Sequence, residues 1–297
     1  CDIMEEKAAE RAKEFGAEAT YTDYRDLISS GSVDVISICS ANETHAEVAI
    51  KAAEAGIHVL CEKPMAQSLK ECDDMIAAAE KSGVKLAVNF QSRFFPRTKW
   101  IKELISSEQM GDVIIAKACG WTIHVWDLIR FVMGDIARIS AEWGGTQLVH
   151  KDPIIATVRF TSGHIGFMQA SSGRQFHEPG LSENLSFIGN RLTASFGLWA
   201  NGLTLSSANE EYIKKMETAK AERFADHSFM APGVPDVADF LNAVIHDKEP
   251  TIPGKEGRKA VEFVVSTYKA ALTGKPVSLP IEVSDDIYNS TERPVSA

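Results

Sequence analysis

Glu62, Lys63 and Pro64 directly follow the apolar run "HVLC", where a charged pair has no reason to be unless it is exposed or used. Proline forces the residue before it toward an extended conformation or places it on a cis bond, so the backbone fixes the direction of the Lys63 side chain. An ammonium group held in this way can donate to a hydroxyl oxygen and stabilise the charge that develops there during oxidation. Glu62 could hold the lysine or a neighbouring group in place. The alternative is a surface turn with solvated charges.

A second candidate lies in "WTIHVWDLIRFVMG" at 121–134, which has the apolar spacing of an amphipathic helix. His124 and Asp127 are three residues apart, so they share one face of that helix. Histidine titrates near neutral pH, and the positive N-terminal end of a helix favours its uncharged form. A neutral imidazole is suited to remove the proton of an alcohol, with Asp127 as the group that orients it. The alternative is an ordinary amphipathic helix with an incidental histidine.

Polar residues also follow the apolar run "VDVISIC". Ser40 ends that run, Asn42 can cap the next helix, and His45 falls in its first turn, where a helix N-terminus attracts polar or anionic ligand groups. Capping alone would also explain Asn42. Two candidates for substrate binding are Arg93 in "FQSRFFP" and His177 in "QFHEPG", although an exposed loop arginine and a turn histidine would look the same.

The elements that must position these residues alternate through the first third of the chain. Apolar runs at 33–40, 57–63 and 84–90 predict strands, with helical patterns between them. One helix begins with a capping box formed by Ser68 and Glu71. Strands that are apolar on both faces and alternate with helices indicate a doubly wound α/β domain with a parallel sheet. Ligands of such a sheet bind outside the carboxyl ends of its strands, where the polar candidates lie.

The pattern changes at about residue 111. Consecutive strand-like runs follow, and they predict a mostly antiparallel sheet; the runs are "VIIAKA", "IARISAEW", "IIATVRF", "HIGFMQASS", "ENLSFIG" and "RLTASFGLW". Two amphipathic helices at 237–244 and 261–268 close the chain. The sequence therefore predicts an α/β domain at 1–110 and an α+β domain at 111–297.

Composition limits the classes of partner. The 297 residues are 44% hydrophobic and 24% charged, which suits one large or two medium globular domains. A formal net charge of -10 argues against nucleic acid, whose partners usually carry a basic face. No apolar run approaches the roughly 18 to 20 residues that cross a bilayer. The five cysteines are odd in number and include no C-x-x-C, which indicates neither a disulfide framework nor a zinc site. We therefore expect a cytoplasmic protein with a small-molecule partner, no membrane contact and no metal.

Four segments together resemble the Gfo/Idh/MocA oxidoreductases, a family of sugar and cyclitol dehydrogenases, and they occur in the family's order. They are "DVISICSANETHAEVAIKAAEAGIHVLCEKPMA", "VKLAVNFQSRFFP", "IHVWDLIRFVMGD" and "ADFLNAVIHDKEPTIPGKEGRKAVEFVVSTYKAALTGKPVSLP". The resemblance implies an NAD(P)-binding Rossmann domain at 1–110, followed at 111–297 by a substrate domain with an open sheet that serves oligomerisation. It also implies hydride transfer between a nicotinamide and a secondary hydroxyl of a sugar, sugar derivative or cyclitol, in a homo-oligomer (dimer or tetramer).

The resemblance extends to individual residues. Lys63 resembles the family's active-site lysine, and His124 resembles its acid/base histidine. Asp2 resembles the acid that binds the adenosine ribose, which favours NAD over NADP. With the candidates above, we assign catalysis to Lys63, His124 and Asp127; cofactor binding to Asp2, Ser40, Asn42, His45, Glu62 and Lys63; and substrate binding to Lys63, Arg93, His124 and His177.

Two departures from the family pattern define the alternatives. The sequence contains no G-x-G-x-x-G, which should lie roughly 20 residues before the ribose-binding acid. Position 120 is glycine, whereas the family has an aspartate four residues before the histidine. We expect that the chain omits a first strand with its glycine loop and a segment beside Gly120 and Trp121. If nothing is omitted, the alternative is a non-catalytic Rossmann-derived binding or regulatory protein. A third alternative is a redox-neutral member of the family that uses NAD to cleave a glycoside.

Overall fold

The computed structural model describes residues 1–120, 122–144, 153–170, 183–226, 229 and 234–286. Their contacts form two compact units, one of Cys1–Asn89 with Val237–Arg258 and the other of Phe90–Asp236 with Lys259–Ala297. The single domain boundary after residue 110 stays a prediction, because these units follow contacts and not chain order. Two other expectations, on His177 and on an omission beside Trp121, fall outside the described residues.

The first unit contains a three-stranded sheet. Its elements as far as residue 89 are α1 (Glu5–Phe15), α2 (Tyr24–Ser29), β1 (Val35–Ile38), α3 (His45–Glu54), β2 (His58–Cys61), α4 (Leu69–Ser82) and β3 (Leu86–Val88). The strands are parallel in the order β1-β2-β3, with Ile38 beside Cys61 and Cys61 beside Val88. All three strands therefore end at one edge, which confirms the parallel sheet predicted from the continuous apolar runs.

The predicted capping box at the start of α4 is present. The side chain of Ser68 accepts a hydrogen bond from the amide of Glu71 (3.2 Å), and the carboxylate of Glu71 accepts one from the amide of Ser68 (3.1 Å). Gly83 ends the helix in the left-handed conformation, with φ of 69°. These local signals determine where α4 begins and ends, and therefore the length of the connection from Lys63 to that helix.

The second unit contains an eight-stranded sheet. From residue 90 onward the chain forms α5 (Pro96–Ser106), β4 (Val113–Cys119), α6 (Ile123–Met133), β5 (Ile136–Trp143), β6 (Ile154–Phe160), β7 (Ile165–Ala170), β8 (Asn184–Gly189), β9 (Thr193–Gly197), β10 (Thr204–Ser206), α7 (Glu210–Arg223), α8 (Pro235–Ile245), α9 (Gly254–Thr273) and β11 (Val277–Ser278). The strand order is β10-β9-β8-β4-β7-β6-β5-β11, and every neighbouring pair is antiparallel except β4 with β7. This confirms the mostly antiparallel sheet.

Alternating side chains give the large sheet one buried face. In β6, Ile154, Ala156, Val158 and Phe160 are at most 1% exposed, and the residues between them are exposed. The core of the second unit also contains an aromatic pair from α6 and α9, because the rings of Trp126 and Phe263 meet edge to face at 4.9 Å.

The core of the first unit lies on both faces of β2. Leu60 and Ala87 pack with Phe240 of α8, whose neighbours Val237 and Val244 cover the same cluster. The alanines of α3 are nearly fully buried and allow that helix to approach the sheet closely. No helix in the described part of the chain is long and apolar enough to cross a membrane.

Candidate active site

The loop after β2 holds Lys63 by its backbone. Glu62 donates its amide to the carbonyl oxygen of Ile38 (2.9 Å), which joins the ends of β1 and β2. The Glu62 carboxylate accepts one hydrogen bond from the amide of Lys63 (3.1 Å) and another from the side chain of Asn89 (2.6 Å). Within the described chain, Nζ of half-buried Lys63 has no hydrogen bond or ion pair. The ammonium group is thus left available while its backbone is fixed.

The segment that follows Lys63 is buried and packs closely against the start of helix α9. The Lys63–Pro64 peptide bond is cis, and Met65 is fully buried. A Cβ atom at Gly257 would lie 2.6 Å from Cγ2 of Val88 and 2.9 Å from Sδ of Met65, so the start of α9 approaches this loop only because residue 257 is glycine. The loop that carries Lys63 is therefore held by packing against α9 as well as by the hydrogen bonds of Glu62.

His45 joins two of the loops at this edge. It is fully buried, with Nδ1 at 2.8 Å from the carbonyl oxygen of Pro64 and Nε2 at 3.1 Å from that of Ser40. Both ring nitrogens thus face backbone carbonyl oxygens, and the tautomer decides which nitrogen donates. The position in the first turn of α3 is confirmed. Its contact with a cofactor stays a prediction, since both ring nitrogens lie on carbonyl oxygens of the chain itself.

The remaining cofactor candidates lie on polar, partly open segments. Half-buried Asp2 accepts a hydrogen bond from the amide of Met4 at Oδ1 (2.8 Å). Ser40 is exposed, and its hydroxyl is 2.6 Å from that of Thr44. Exposed Asn42 opens a 3-10 turn over Asn42–Thr44. Their roles toward a cofactor stay predictions.

The predicted capping role of Asn42 is wrong. The helix α3 begins at His45, its N-cap is Thr44, and no side chain makes a capping hydrogen bond there. The 3-10 turn shifts the start of the helix two residues beyond the expected N-cap, and the hydroxyl of Thr44 turns back to the carbonyl oxygen of Ala41 (2.8 Å). Asn42 is thus not needed for capping.

His124 lies in an aromatic corner of the second unit. It is 4% exposed and stands in the first turn of α6, as predicted. Its ring meets Phe90 edge to face at 6.1 Å and Trp199 at 5.2 Å. Glu183 accepts a hydrogen bond from the amide of Thr122 (3.1 Å) at one oxygen and from Nε1 of Trp199 (2.6 Å) at the other. An acidic group at the amino end of α6 also matches the helix dipole.

Sequence reasoning missed Trp199 and Glu183. They lie far from His124 in the chain, and neither stands at a motif spacing. The only local signal was a large aromatic residue beside the turn "ANG", which predicts a side chain near a turn but not its neighbour.

Asp127 is bound by an arginine and not by the histidine. It is fully buried on α6; Nε of Arg93 lies 2.7 Å from Oδ2, and Nη2 of Arg93 also bonds to Oδ1. Nη2 of Arg130 lies 3.7 Å from Oδ1. The expectation that Arg93 is an exposed loop residue is wrong, because the guanidinium is 3% exposed. Two-point pairing with a carboxylate explains how a charged loop residue can be buried. Substrate binding by Arg93 and orientation of the base by Asp127 stay predictions.

A series of ion pairs extends from Asp127 through Arg130 to Asp135 at the end of α6. Asp135 accepts hydrogen bonds from Arg130 (3.0 Å) and Lys259 (2.8 Å). Burial alone would raise the pKa of Asp135, but the ammonium of Lys259 and the guanidinium of Arg130 outweigh it and hold that pKa below its usual value. The helix that carries His124 is therefore anchored at its start by Glu183 and near its end by these ion pairs. Among the residues described, no group of three or more His, Cys, Asp or Glu side chains could hold a metal ion.

Ligands of a parallel sheet in an α/β fold bind outside the carboxyl ends of its strands, and Lys63 follows one such end in the first unit. Residues 1–90 match the family GFO_IDH_MocA, described as "Oxidoreductase family, NAD-binding Rossmann fold". This segment is therefore similar to a family of NAD-binding oxidoreductases, in agreement with the resemblance and with NAD as the cofactor.

Full-length relatives extend the similarity beyond residue 90. The chain is 25% identical to a myo-inositol 2-dehydrogenase of Thermotoga maritima over 94% of its own length and 89% of the relative. It is 24% identical to a D-glucoside 3-dehydrogenase of Escherichia coli over the same shares, 94% and 89%. Its fold matches the WlbA dehydrogenase from Bordetella pertussis, solved with NADH and UDP-GlcNAcA, with a TM-score of 0.79 at 20% identity, over 95% of this chain and 89% of that one.

We predict that the pair Arg93–Asp127 is required for stability. Arg93→Met or Asp127→Leu alone leaves a buried charge without its partner and should lower the free energy of unfolding by about 3–5 kcal/mol. Asp127→Leu should cost more, since it leaves two guanidinium groups facing each other. The double variant should lose less than the sum of the single variants, as measured by urea denaturation in a double-mutant cycle. The exposed pair of Lys70 and Asp74 is the control, because breaking it should change little. Additive losses would contradict the prediction.

We also predict that His45 holds the two strand-end loops together. His45→Ala leaves the carbonyl oxygens of Ser40 and Pro64 without their buried partner and should lower the free energy of unfolding by about 1–3 kcal/mol. His246→Ala removes an exposed imidazole from the turn after α8 and is the matched control. Equal free energies of unfolding of the two variants in urea would show that the contacts of His45 with Ser40 and Pro64 do not stabilise the fold.

Proposed function

We propose that this protein is an NAD-dependent dehydrogenase that transfers a hydride between the cofactor and a secondary hydroxyl of a sugar, sugar derivative or cyclitol. The match of residues 1–90 to the NAD-binding oxidoreductase family carries the proposal, because that segment includes Lys63 and the ends of β1 and β2. Relatives of similar length that are named for inositol and glucoside oxidation support a sugar-like substrate.

The residues described fit NAD in part. Ser40 and Asn42 offer exposed polar groups beside β1, and the Asp2 carboxylate is suited to a ribose hydroxyl. These residues would therefore hold the cofactor at its riboses and nicotinamide. Bound NAD supplies the acceptor for the hydride.

The chain's own residues divide the acid and base work. Lys63 donates to the substrate oxygen and stabilises its developing negative charge, and Glu62 fixes the backbone from which that lysine projects. His124 takes the hydroxyl proton, and the nearby rings keep its surroundings dry. Asp127 orients this base indirectly, since its bond to Arg93 fixes the helix that carries His124.

We also propose that the protein is a cytoplasmic homo-oligomer that associates through the open face of the large sheet. Ile155 and Ile165 are 48% and 42% exposed, and they project from the exposed face of β6 and β7. Large exposed aliphatic side chains on a sheet favour association. Light scattering should give the mass of a dimer or tetramer, and Ile155→Lys with Ile165→Lys should lower it. A monomeric wild-type protein would reject the proposal.

Lys63→Met is the test of the proposed chemistry. The change removes the donor without shortening the side chain much and should lower turnover by about a hundredfold or more. NADH formation with myo-inositol, D-glucose and methyl glucosides measures turnover, while calorimetry with NAD separates lost chemistry from lost cofactor binding. Lys70→Met, at an exposed position of α4, is the matched control.

The same assay distinguishes the alternatives. NADH that forms in step with oxidised product supports a dehydrogenase, whereas glycoside cleavage without net NADH indicates the redox-neutral alternative. A wild-type protein that binds no NAD would be a non-catalytic member. Near-normal turnover of Lys63→Met would defeat the assignment of the lysine.

A further inference from the structure

The indole of Trp199 stands half exposed beside the proposed base. It is 47% exposed, and its ring meets that of His124 at 5.2 Å with an angle of 89° between the planes. Phe95 contacts it at 6.3 Å, again edge to face. An indole that is open on one side offers a flat apolar face to another molecule.

The carboxylate of Glu183 fixes the position of the Trp199 indole relative to the helix that carries His124. Glu183 accepts Nε1 of Trp199 at 2.6 Å and the amide of Thr122, the N-cap of α6, at 3.1 Å. Its own carbonyl oxygen accepts the amide of Leu198 at 2.7 Å. The start of the helix with His124 and the turn with Trp199 are thus tied to the same residue, so the two rings are held together.

A buried cation fixes the turn on both sides of the indole. Arg97 is fully buried and donates to the carbonyl oxygens of Leu198, Ala200 and Gly202, the last at 3.3 Å. Its partners in the described chain are carbonyl oxygens and aromatic rings, and burial lowers the pKa of Arg97 to about 10. Burying a guanidinium without a carboxylate is costly. Here that cation binds three carbonyl groups of the turn and so fixes the backbone on both sides of Trp199.

We propose that Trp199 is a stacking platform for the ring of the substrate and that it favours cyclic over acyclic polyols. This rests on the proposed dehydrogenase function. The positively polarised C–H groups on one face of a sugar or cyclitol ring pack on the negative face of an indole, while the hydroxyl groups stay free for hydrogen bonds. An acyclic polyol offers no such flat face. Glu183 and Arg97 act as positioning residues for this platform.

The test compares Trp199→Ala and Trp199→Phe with the wild-type protein in the full chain with NAD. Trp143→Phe is the matched control, because that indole lies at the end of β5 and packs on Tyr268 of α9, with ring centroids 5.7 Å apart. Myo-inositol, D-glucose and methyl β-glucoside are the cyclic compounds; sorbitol and ribitol are assayed as substrates or as competitive inhibitors. Trp199→Ala should raise KM for cyclic substrates about three- to tenfold with little change in kcat. Trp199→Phe should lie between, and constants for the acyclic polyols should not move.

Several outcomes would overturn the platform. Unchanged KM in Trp199→Ala, an equal loss for cyclic and acyclic compounds, or a fall in kcat alone would each do so; the last would make Trp199 a support for His124 only. A matching melting temperature for Trp199→Phe and the wild type guards against a folding defect. If the wild type binds NAD but oxidises none of the cyclic compounds, the proposed function itself fails, and this inference fails with it.

Discussion

The hydrogen bonds that join the carboxyl ends of the parallel strands are the constraint on which the site depends. Parallel strands end at one edge, and the chain must leave each of them without stranding polar backbone groups. Here side chains complete that edge: Glu62 spans from the amide of Lys63 to Asn89, and His45 spans from Ser40 to Pro64. Since the backbone around Lys63 is held from two sides, its side chain is the part of this loop left to meet a ligand.

In the second unit, charged side chains make the hydrogen bonds that hold turns, loops and a helix start in place. Arg97 bonds to carbonyl oxygens of a turn, and the Glu183 carboxylate bonds to the amide at a helix start and to the indole of Trp199. Asp127 and Arg93 form a true ion pair, but they too join a loop to a helix. Such buried groups contribute less to net stability than their strength suggests, because desolvation offsets the attraction. Their effect is to select one conformation of the segments around His124.

The sequence predicted elements wherever a local pattern decided the structure. The strands β5 and β6 have the bounds of the runs "IARISAEW" and "IIATVRF", and in β6 strict alternation of burial matches a sheet with one buried face. Helix α7 was missed, since it is polar all round and buries only Met216. The strands β10 and β11 have three and two residues, too few to show a period.

The candidate site was predicted only in part, for a related reason. Lys63 and His124 stand at positions that the chain marks locally, by a proline and by a helix start. The burial of Arg93 by Asp127, and the contact of His124 with Trp199, join residues that are distant in sequence. No spacing rule encodes such pairs. Asn42 failed for the opposite reason, because a competing local structure, the 3-10 turn, took the place of the expected cap.

Gly120, which stands where the family pattern has an aspartate, lies directly against Glu183. Its φ of 149° lies where residues with a side chain are strained, and a Cβ atom there would lie 2.8 Å from Cγ of Glu183 and 2.8 Å from Cγ2 of Val125. An aspartate at 120 therefore does not fit this conformation. The space that its side chain would enter is taken by the stem of Glu183, whose carboxylate bonds to the helix start of His124. The glycine and the glutamate are therefore linked: the acidic group at the start of the His124 helix comes from the segment before β8, and residue 120 must be small to admit it.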